Sequence, residues 1–580
     1  MAQLSLIPVE PNPYSWRLRD TLAAIALFLT TAAVVLWQNS RIGVLWDLSY
    51  LLDTAFRLSL GQMPYRDFPF AHAPLTFLIQ AAIINLTGRV VFHHILYAAI
   101  AGALGTVLTW RIVLRTLTHP EQGKPAKPIW LTALLLALPL TVLGVYGIFP
   151  TPFYDCDATL AILFALYLLQ RLVTTPLITH HLPLITGFSI VLPVFFKQNI
   201  GLPFLLVIVI GISAVLLWNL IRRAHATTRA LLTVLASAAA TLALAALLLH
   251  LTVGLHAYVH WTVTFAAQRR MPPLSDMLGV YIDASLLWTL PCIAAGLAIL
   301  LLPRLRFRGS SLLATLLLAA PLLRTLTLFF LQPDSDDRTT NLLLLWPAVL
   351  LLSALVALWN LRRGLTLAAL LPFFTLAAIN GVLLSQQLWG STYAIWPLFV
   401  ILAAGLLAGL PRESKVSLPL SAIFAATLLL CGSFYLAGEE RLSYANVLEG
   451  DPHDSTLAAL RGLTVRGPDL PALDQLVAFT STHIPANDGI LLINGEDPFY
   501  FATGRTPRFP VLLFDPATDP YSPAELAAEA RSRNIRWLIV KRTLQAQGDP
   551  TPNREETLQL LSKNFAPFAQ LDNYDIYLRR

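Results

Sequence analysis

The chain has 580 residues, 56% of them hydrophobic and only 13% charged, with mean hydropathy +0.64 and a formal net charge of +7. Soluble domains carry roughly 25% charged residues, so the composition excludes an ordinary globular protein and points to a bilayer. The positive balance does not indicate nucleic acid, because the Lys and Arg residues fall in short segments between apolar runs and form no basic stripe with interleaved stacking aromatics.

The first apolar run starts after residue 20 and ends at no small-residue cleavage site, so it is expected to be an uncleaved anchor. Apolar runs follow near residues 20–38, 92–114, 128–149, 158–172, 183–197, 199–220, 229–253, 284–303, 310–331, 341–360, 365–386, 392–410 and 417–437. Most approach the roughly 20 residues that cross about 30 Å of hydrocarbon as a helix, and none shows the alternation of a membrane β-barrel. They predict a polytopic α-helical membrane bundle of about thirteen transmembrane helices. Cys156, Cys292 and Cys431 show neither CxxC nor Cys/His spacing, so no disulfide framework or zinc site is expected.

A further apolar piece, residues 73–87, is short enough for an interfacial or re-entrant helix. The positive-inside bias decides its path. If it does not cross, the cytoplasm receives Arg17 and Arg19, then Arg111, Arg115, Lys124 and Lys127, then Arg222, Arg223 and Arg229, then Arg304, Arg306 and Arg308, then Arg362 and Arg363, then Arg412 and Lys415. If it crosses, every basic loop from 111–127 onwards moves outside. The non-crossing arrangement is therefore expected, with the N-terminus cytoplasmic and residues 39–91, 150–157, 254–283, 332–340 and everything after about 438 outside.

Residues 1–437 thus read as the membrane domain, with 39–91 as its first external loop, and 438–580 as a soluble periplasmic α/β domain. In the latter, GILLING (489–495), PVLLFD (510–515) and IRWLIVKR (535–542) are predicted strands, while PALDQLVAFTSTHI and SPAELAAEARSRN are predicted helices. Neither a Gly-rich phosphate loop nor a nucleophile elbow occurs there.

The first external loop, WDLSYLLDTAFRLSLGQMPYRDFPFAHAPLTF, interleaves Asp47, Asp53, Arg57, Arg66, Asp67 and His72 with Trp46, Tyr50, Tyr65, Phe68 and Phe70. An amphipathic helix on the membrane surface is one reading. A functional loop is the other, since a carboxylate at the edge of hydrocarbon is costly to keep. Asp155 and Asp157 open the 158–172 run, where they are either a second acidic site or helix caps.

With Asp47 after the first span, GQMPYRDF, the Pro-initiated APLTFLIQAAIINLTG, FYDCDATLAILFALYLL, VFFKQNIGLPFL, SDDRTTNLLLLWP, and the tail segments NGEDPFYFATGRTPRF, IRWLIVKR and NYDIYLRR, the chain resembles the GT-C superfamily of polytopic glycosyltransferases. The resemblance implies an inverting transfer of a sugar from a polyprenyl-phosphate carrier to an acceptor hydroxyl of a lipid, glycan or protein. It also implies that Asp47 is the general base, with Asp155 and Asp157 as a second acidic site that orients the acceptor or, in relatives that use one, binds a metal. A positioned carboxylate of this kind typically contributes about 10² to 10⁴ in rate. An acidic residue often follows this Asp in the family, whereas Leu48 does here, so Asp67 stands as a second candidate base.

A lipid-phosphate donor needs cations at headgroup depth. Lys197, Arg338, Arg269, Arg270 and Arg66 are the candidates, set against snorkelling or solvated side chains. Arg269 and Arg270 read either as a solvated or lipid-facing pair or, together with His256, His260 and Trp261, as part of a flexible lid over the carrier. Arg324, inside an apolar run, is expected to have a carboxylate or phosphate partner. His93 and His94 are expected to be packed core, and no metal is favoured, given the lack of clustered His and carboxylate ligands. The expectation is a glycosyltransferase of the bacterial cytoplasmic (inner) membrane. A secondary transporter and an oligosaccharide polymerase or ligase are the alternatives, the former expected to show inverted repeats.

Overall fold

The computed structural model describes residues 16–580 apart from 42, 119–126, 175–180, 223–227, 271–272, 306, 334–339, 385–393, 412–414, 439–444, 516–517 and 547–553. Among the described residues, seven helices are long and apolar enough to span a bilayer: Leu18–Asn39, Val91–Leu117, Tyr154–Val173, Gln198–Ile221, Thr228–Thr252, Asn341–Leu361 and Ser417–Ala437. Two further pairs, Ser275–Ile282 with Leu286–Leu301 and Ser310–Leu318 with Ala320–Leu331, bend by 42° and 65°. The second bend falls where Pro321, lacking an N–H, opens a new helix instead of continuing the old one. The shorter apolar helices Pro128–Leu143, His181–Phe196, Leu367–Leu383 and Trp396–Ala408 coincide with the other predicted runs. The protein is a multi-pass helical membrane protein with a small C-terminal α/β part.

The elements used below are α1 (Leu18–Asn39), α2 (Leu45–Ser59), α3 (Leu75–Thr87), α4 (Val91–Leu117), α5 (Tyr154–Thr174), α6 (Gln198–Ile221), α7 (Trp346–Leu361), α8 (Leu367–Leu383) and α9 (Trp396–Ala408). Helix α3 has 13 residues, roughly 20 Å at 1.5 Å per residue, short of the about 30 Å of hydrocarbon. Helix α2 is not a surface helix: eleven of its 15 residues are buried, including Ser49, Asp53 and Arg57. Residues 254–283, read as a loop, are a run of short helical pieces from Leu255–Val259 to Gly279–Ile282.

Beyond the bundle, β1 (Pro452–Asp454) and β2 (Thr464–Arg466) form an antiparallel pair, followed by α10 (Asp469–His483). A four-stranded sheet runs β3-β4-β6-β5, from β3 (Gly489–Ile493), β4 (Ile535–Lys541), β5 (Phe565–Gln570) and β6 (Tyr574–Arg579), with only the β3–β4 pair parallel. Helices α11 (Phe499–Thr503) and α12 (Pro523–Ser532) lie between β3 and β4 in the chain. The strand predicted at 510–515 is absent. That segment is irregular, and its apolar character comes from burial of Val511, Leu512, Leu513 and Phe514, while Phe514 N–H donates to the carbonyl of Asn494 outside the sheet.

Candidate active site

Helix α5 opens with Tyr154-Asp155-Cys156-Asp157, placing both acids in its first turn, where the helix dipole favours negative charge. Neither acid acts simply as a cap. The carboxylate of Asp157, 2% exposed, accepts hydrogen bonds from Thr76 of α3 (2.7 Å), Tyr97 of α4 (2.8 Å) and Tyr146 (2.6 Å). Asp157 therefore ties the short helix α3 to two long helices. Asp155 is ion-paired with Lys197, the residue preceding α6, and both side chains are buried. The Lys197 ammonium also lies 5.0 Å from the centre of the Tyr154 ring.

An aromatic row leads from this node to α2. His72 stacks on Tyr154 at 4.5 Å and meets Tyr50 edge-on at 5.4 Å. Tyr50 stacks on Phe70 at 6.2 Å. The loop carrying His72 is pinned by Tyr65, whose hydroxyl donates to the His72 carbonyl (2.6 Å), and by Gln198, whose amide donates to the carbonyls of Ala71 (3.1 Å) and Thr262 (2.8 Å). Asp47, half-buried in the first turn of α2, stands three residues before Tyr50. Residues three apart share a helix face, so Asp47 lies on the Tyr50 side of α2.

The other predicted residues are spread out. Asp67 pairs with its neighbour Arg66 (2.9 Å) in an exposed turn and accepts from the Met63 N–H (2.7 Å). Arg66 holds the Asp67 carboxyl below its ordinary range. The ion pair with Arg66 thus lowers the basicity of Asp67. Arg269 is exposed, lies over the Phe265 ring at 5.2 Å, and acts on Asp519 of the C-terminal part. Burial pushes Asp519 up to about 6. Arg270 ends the same short helix as Arg269, and Arg338 lies outside the described residues. Arg324 is exposed over the Trp288 ring at 5.3 Å, with no ion pair among the described residues, because its helix face points out of the bundle. His94 is buried and hydrogen-bonded to Gln80 (2.8 Å).

Sequence reasoning missed the hydroxyl set around Asp157 and the polar seam that fixes α2 to the C-terminal part. The Ser49 hydroxyl meets the carbonyls of Gly495 and Asp497 (2.7 Å each). The Asp53 carboxylate accepts from the N–H groups of Phe501 (2.6 Å) and Tyr500 (3.2 Å). Arg57 donates to the carbonyls of Phe509 (2.6 Å) and Pro510 (2.8 Å). Burial pushes Asp53 up to about 8, against those two N–H groups. Behind the seam, Lys541 reaches Asp469, Glu496 and Asp497 at 2.9 Å each, and the Tyr574 hydroxyl donates to Asp497 (2.8 Å). Burial raises Glu496 to about 7 and raises Asp497, with Lys541 opposing both shifts. The acidic spacing in NGEDPFYF and the lone Lys of IRWLIVKR were the available signals.

No family model and no curated protein matches the sequence. The fold matches that of ArnT from Cupriavidus metallidurans bound to undecaprenyl phosphate, with TM-score 0.52 and 12% identity over 96% of this chain and 97% of that one. The Archaeoglobus fulgidus oligosaccharyltransferase in complex with Zn and sulfate is similar at TM-score 0.48 and 12% identity, over 96% of this chain and 73% of that one. The likeness to ArnT shows that the chain shares the fold of that protein over nearly its whole length.

Proposed function

We propose that this chain transfers a sugar, with inversion, from a polyprenyl-phosphate donor to an acceptor hydroxyl on the outer side of a bacterial cytoplasmic membrane. The observation that carries the reading is the Tyr50–His72–Tyr154 row, which runs from the α2 face that carries Asp47 to the Asp155–Lys197 pair. Asp47 takes the proton of the acceptor hydroxyl. The freed oxygen attacks the anomeric carbon, whose bond to the phosphate oxygen breaks, and the lipid phosphate departs with the electron pair. Lys197, with Asp155 as its resident counter-charge, stabilises the leaving phosphate. Asp157 has both oxygens engaged by hydroxyls, so it positions α3 and α5 and leaves proton transfer to Asp47.

In this reading residues 1–437 are the catalytic membrane domain, and residues 438–580 lie on the same outer side as α2, with Arg269 and Arg270 bordering the donor entrance. The shared fold with ArnT, whose structure holds undecaprenyl phosphate, supports a lipid-phosphate donor. The test uses proteoliposomes given a labelled polyprenyl-phosphate sugar and a mixed lipid and glycan acceptor fraction. Label should move to acceptor with release of lipid phosphate. Solute uptake without any glycosylated product would instead indicate a transporter.

A further inference from the structure

At the other end of the bundle from Asp157 lies a cavity of about 260 Å³, walled by α4, α5, α7, α8 and α9. Its position follows from helix geometry: Tyr97 binds Asp157 near the start of α4, and Arg115 lines the cavity roughly 27 Å further along the same helix at 1.5 Å per residue. The wall is mainly aliphatic, and among the described residues Arg115 is the one charged side chain in it. Thr116, Thr118, Gln170, Ser353, Asn360 and Thr375 supply the other polar side chains.

Two features show that it is more than a packing gap. Ser353 is 4% exposed, and its hydroxyl has no hydrogen-bond partner among the described residues although it lines the space. A buried hydroxyl left so is destabilising, and a polar ligand atom would recover that loss. Second, the charges nearest the cavity are basic: Arg115 is 8% exposed with its guanidinium over the Tyr167 ring (5.3 Å), Arg171 stands in the last turn of α5, and Arg362 and Arg363 follow α7, while Asp20 at the same end is paired with Arg111 (4.0 Å). An apolar slot with a cationic rim at the end of a membrane bundle is complementary to one class of molecule, an anionic amphiphile.

We infer that this cavity binds an anionic phospholipid, with one acyl chain between α4, α5 and α9 and the phosphate on Arg115, at a site that does not depend on the acidic site around Asp157. Gly405 gives a clean probe. It lines the cavity, and a Cβ added there meets nothing within 4 Å, so the side chain of Gly405→Leu starts into open space.

The test is native mass spectrometry and thermal unfolding of the purified full-length protein, titrated with dioleoyl phosphatidylglycerol or dioleoyl phosphatidylcholine. The parent should retain phosphatidylglycerol on the order of tenfold more tightly than phosphatidylcholine, as a charge-assisted phosphate contact implies. Arg115→Gln should bring the two lipids level, and Gly405→Leu should weaken both while leaving the unliganded Tm near that of the parent. Equal retention of the two lipids by the parent would overturn the inference. So would unchanged retention in Gly405→Leu, or stabilisation by inorganic phosphate equal to that by phosphatidylglycerol.

Discussion

Lys197, immediately before α6, is ion-paired with Asp155 in the first turn of α5, and the two side chains are 8% and 2% exposed. Removing one partner of a buried pair strands the other charge and typically costs about 3–5 kcal/mol. Lys197→Met and Asp155→Leu should each destabilise the protein by about that amount. The double variant should regain most of the loss, since contacting residues couple. Denaturant unfolding in detergent measures the cycle. Donor binding, assayed in parallel, should stay weak in the double variant, which separates the phosphate role of Lys197 from its role in folding.

The three hydroxyls on Asp157 make a second prediction. A hydrogen bond to a charged group contributes roughly 1.5–3 kcal/mol, so Tyr146→Phe and Tyr97→Phe should each lower stability by an amount in that range. Asp157→Asn should cost more, because its amide N–H groups would face hydroxyl donors. Thermal melts of the three variants give the order, and a Tyr146→Phe melt equal to the parent would contradict the assignment.

Stability should fall as pH rises through the neutral range. Asp53 has an ordinary carboxyl value near 3.8 when unfolded and about 8 in the folded protein, because burial disfavours its charge. A folded value above the unfolded one means stability fully present below about pH 4, lost progressively as pH rises and exhausted above about pH 8. Glu496, pushed up to about 7, adds in the same direction. Tm measured from pH 5 to 9 should decline, and Asp53→Asn should flatten the slope. An equally steep decline in the variant would remove Asp53 as the cause.

Gly495 has φ +79, and an added Cβ would come within 1.7 Å of the Leu512 carbonyl oxygen. Gly495→Ala combines a left-handed backbone with that clash and should destabilise the C-terminal part by about 1–3 kcal/mol. Because Ser49 bonds the Gly495 carbonyl, the variant should also expose the α2 seam to protease. Limited proteolysis at residues 495–515 reads this directly.

The spans were legible because hydrocarbon thickness imposes one length scale, and the apolar runs at 92–114 and 199–220 carry it plainly. Asp155, Asp157 and Lys197 were also legible, since charge at the end of an apolar run is rare. Their partners were not. Tyr97 and Tyr146 look like ordinary aromatics in apolar sequence, and only the fold brings them to Asp157. Asp53 meets Phe501 across 448 residues, a pairing no local pattern encodes. The misplaced strand at 510–515 has the same origin, because a buried apolar stretch reads alike whether or not it joins a sheet.

The most direct test of the central claim is labelled-sugar transfer by Asp47→Asn and Asp157→Asn in matched membranes, with donor binding measured alongside. Asp47→Asn should lose about 10² to 10⁴ in transfer rate with donor binding retained. Asp157→Asn should lose less, together with lowered stability. Transfer by Asp47→Asn at the parental rate would contradict the claim.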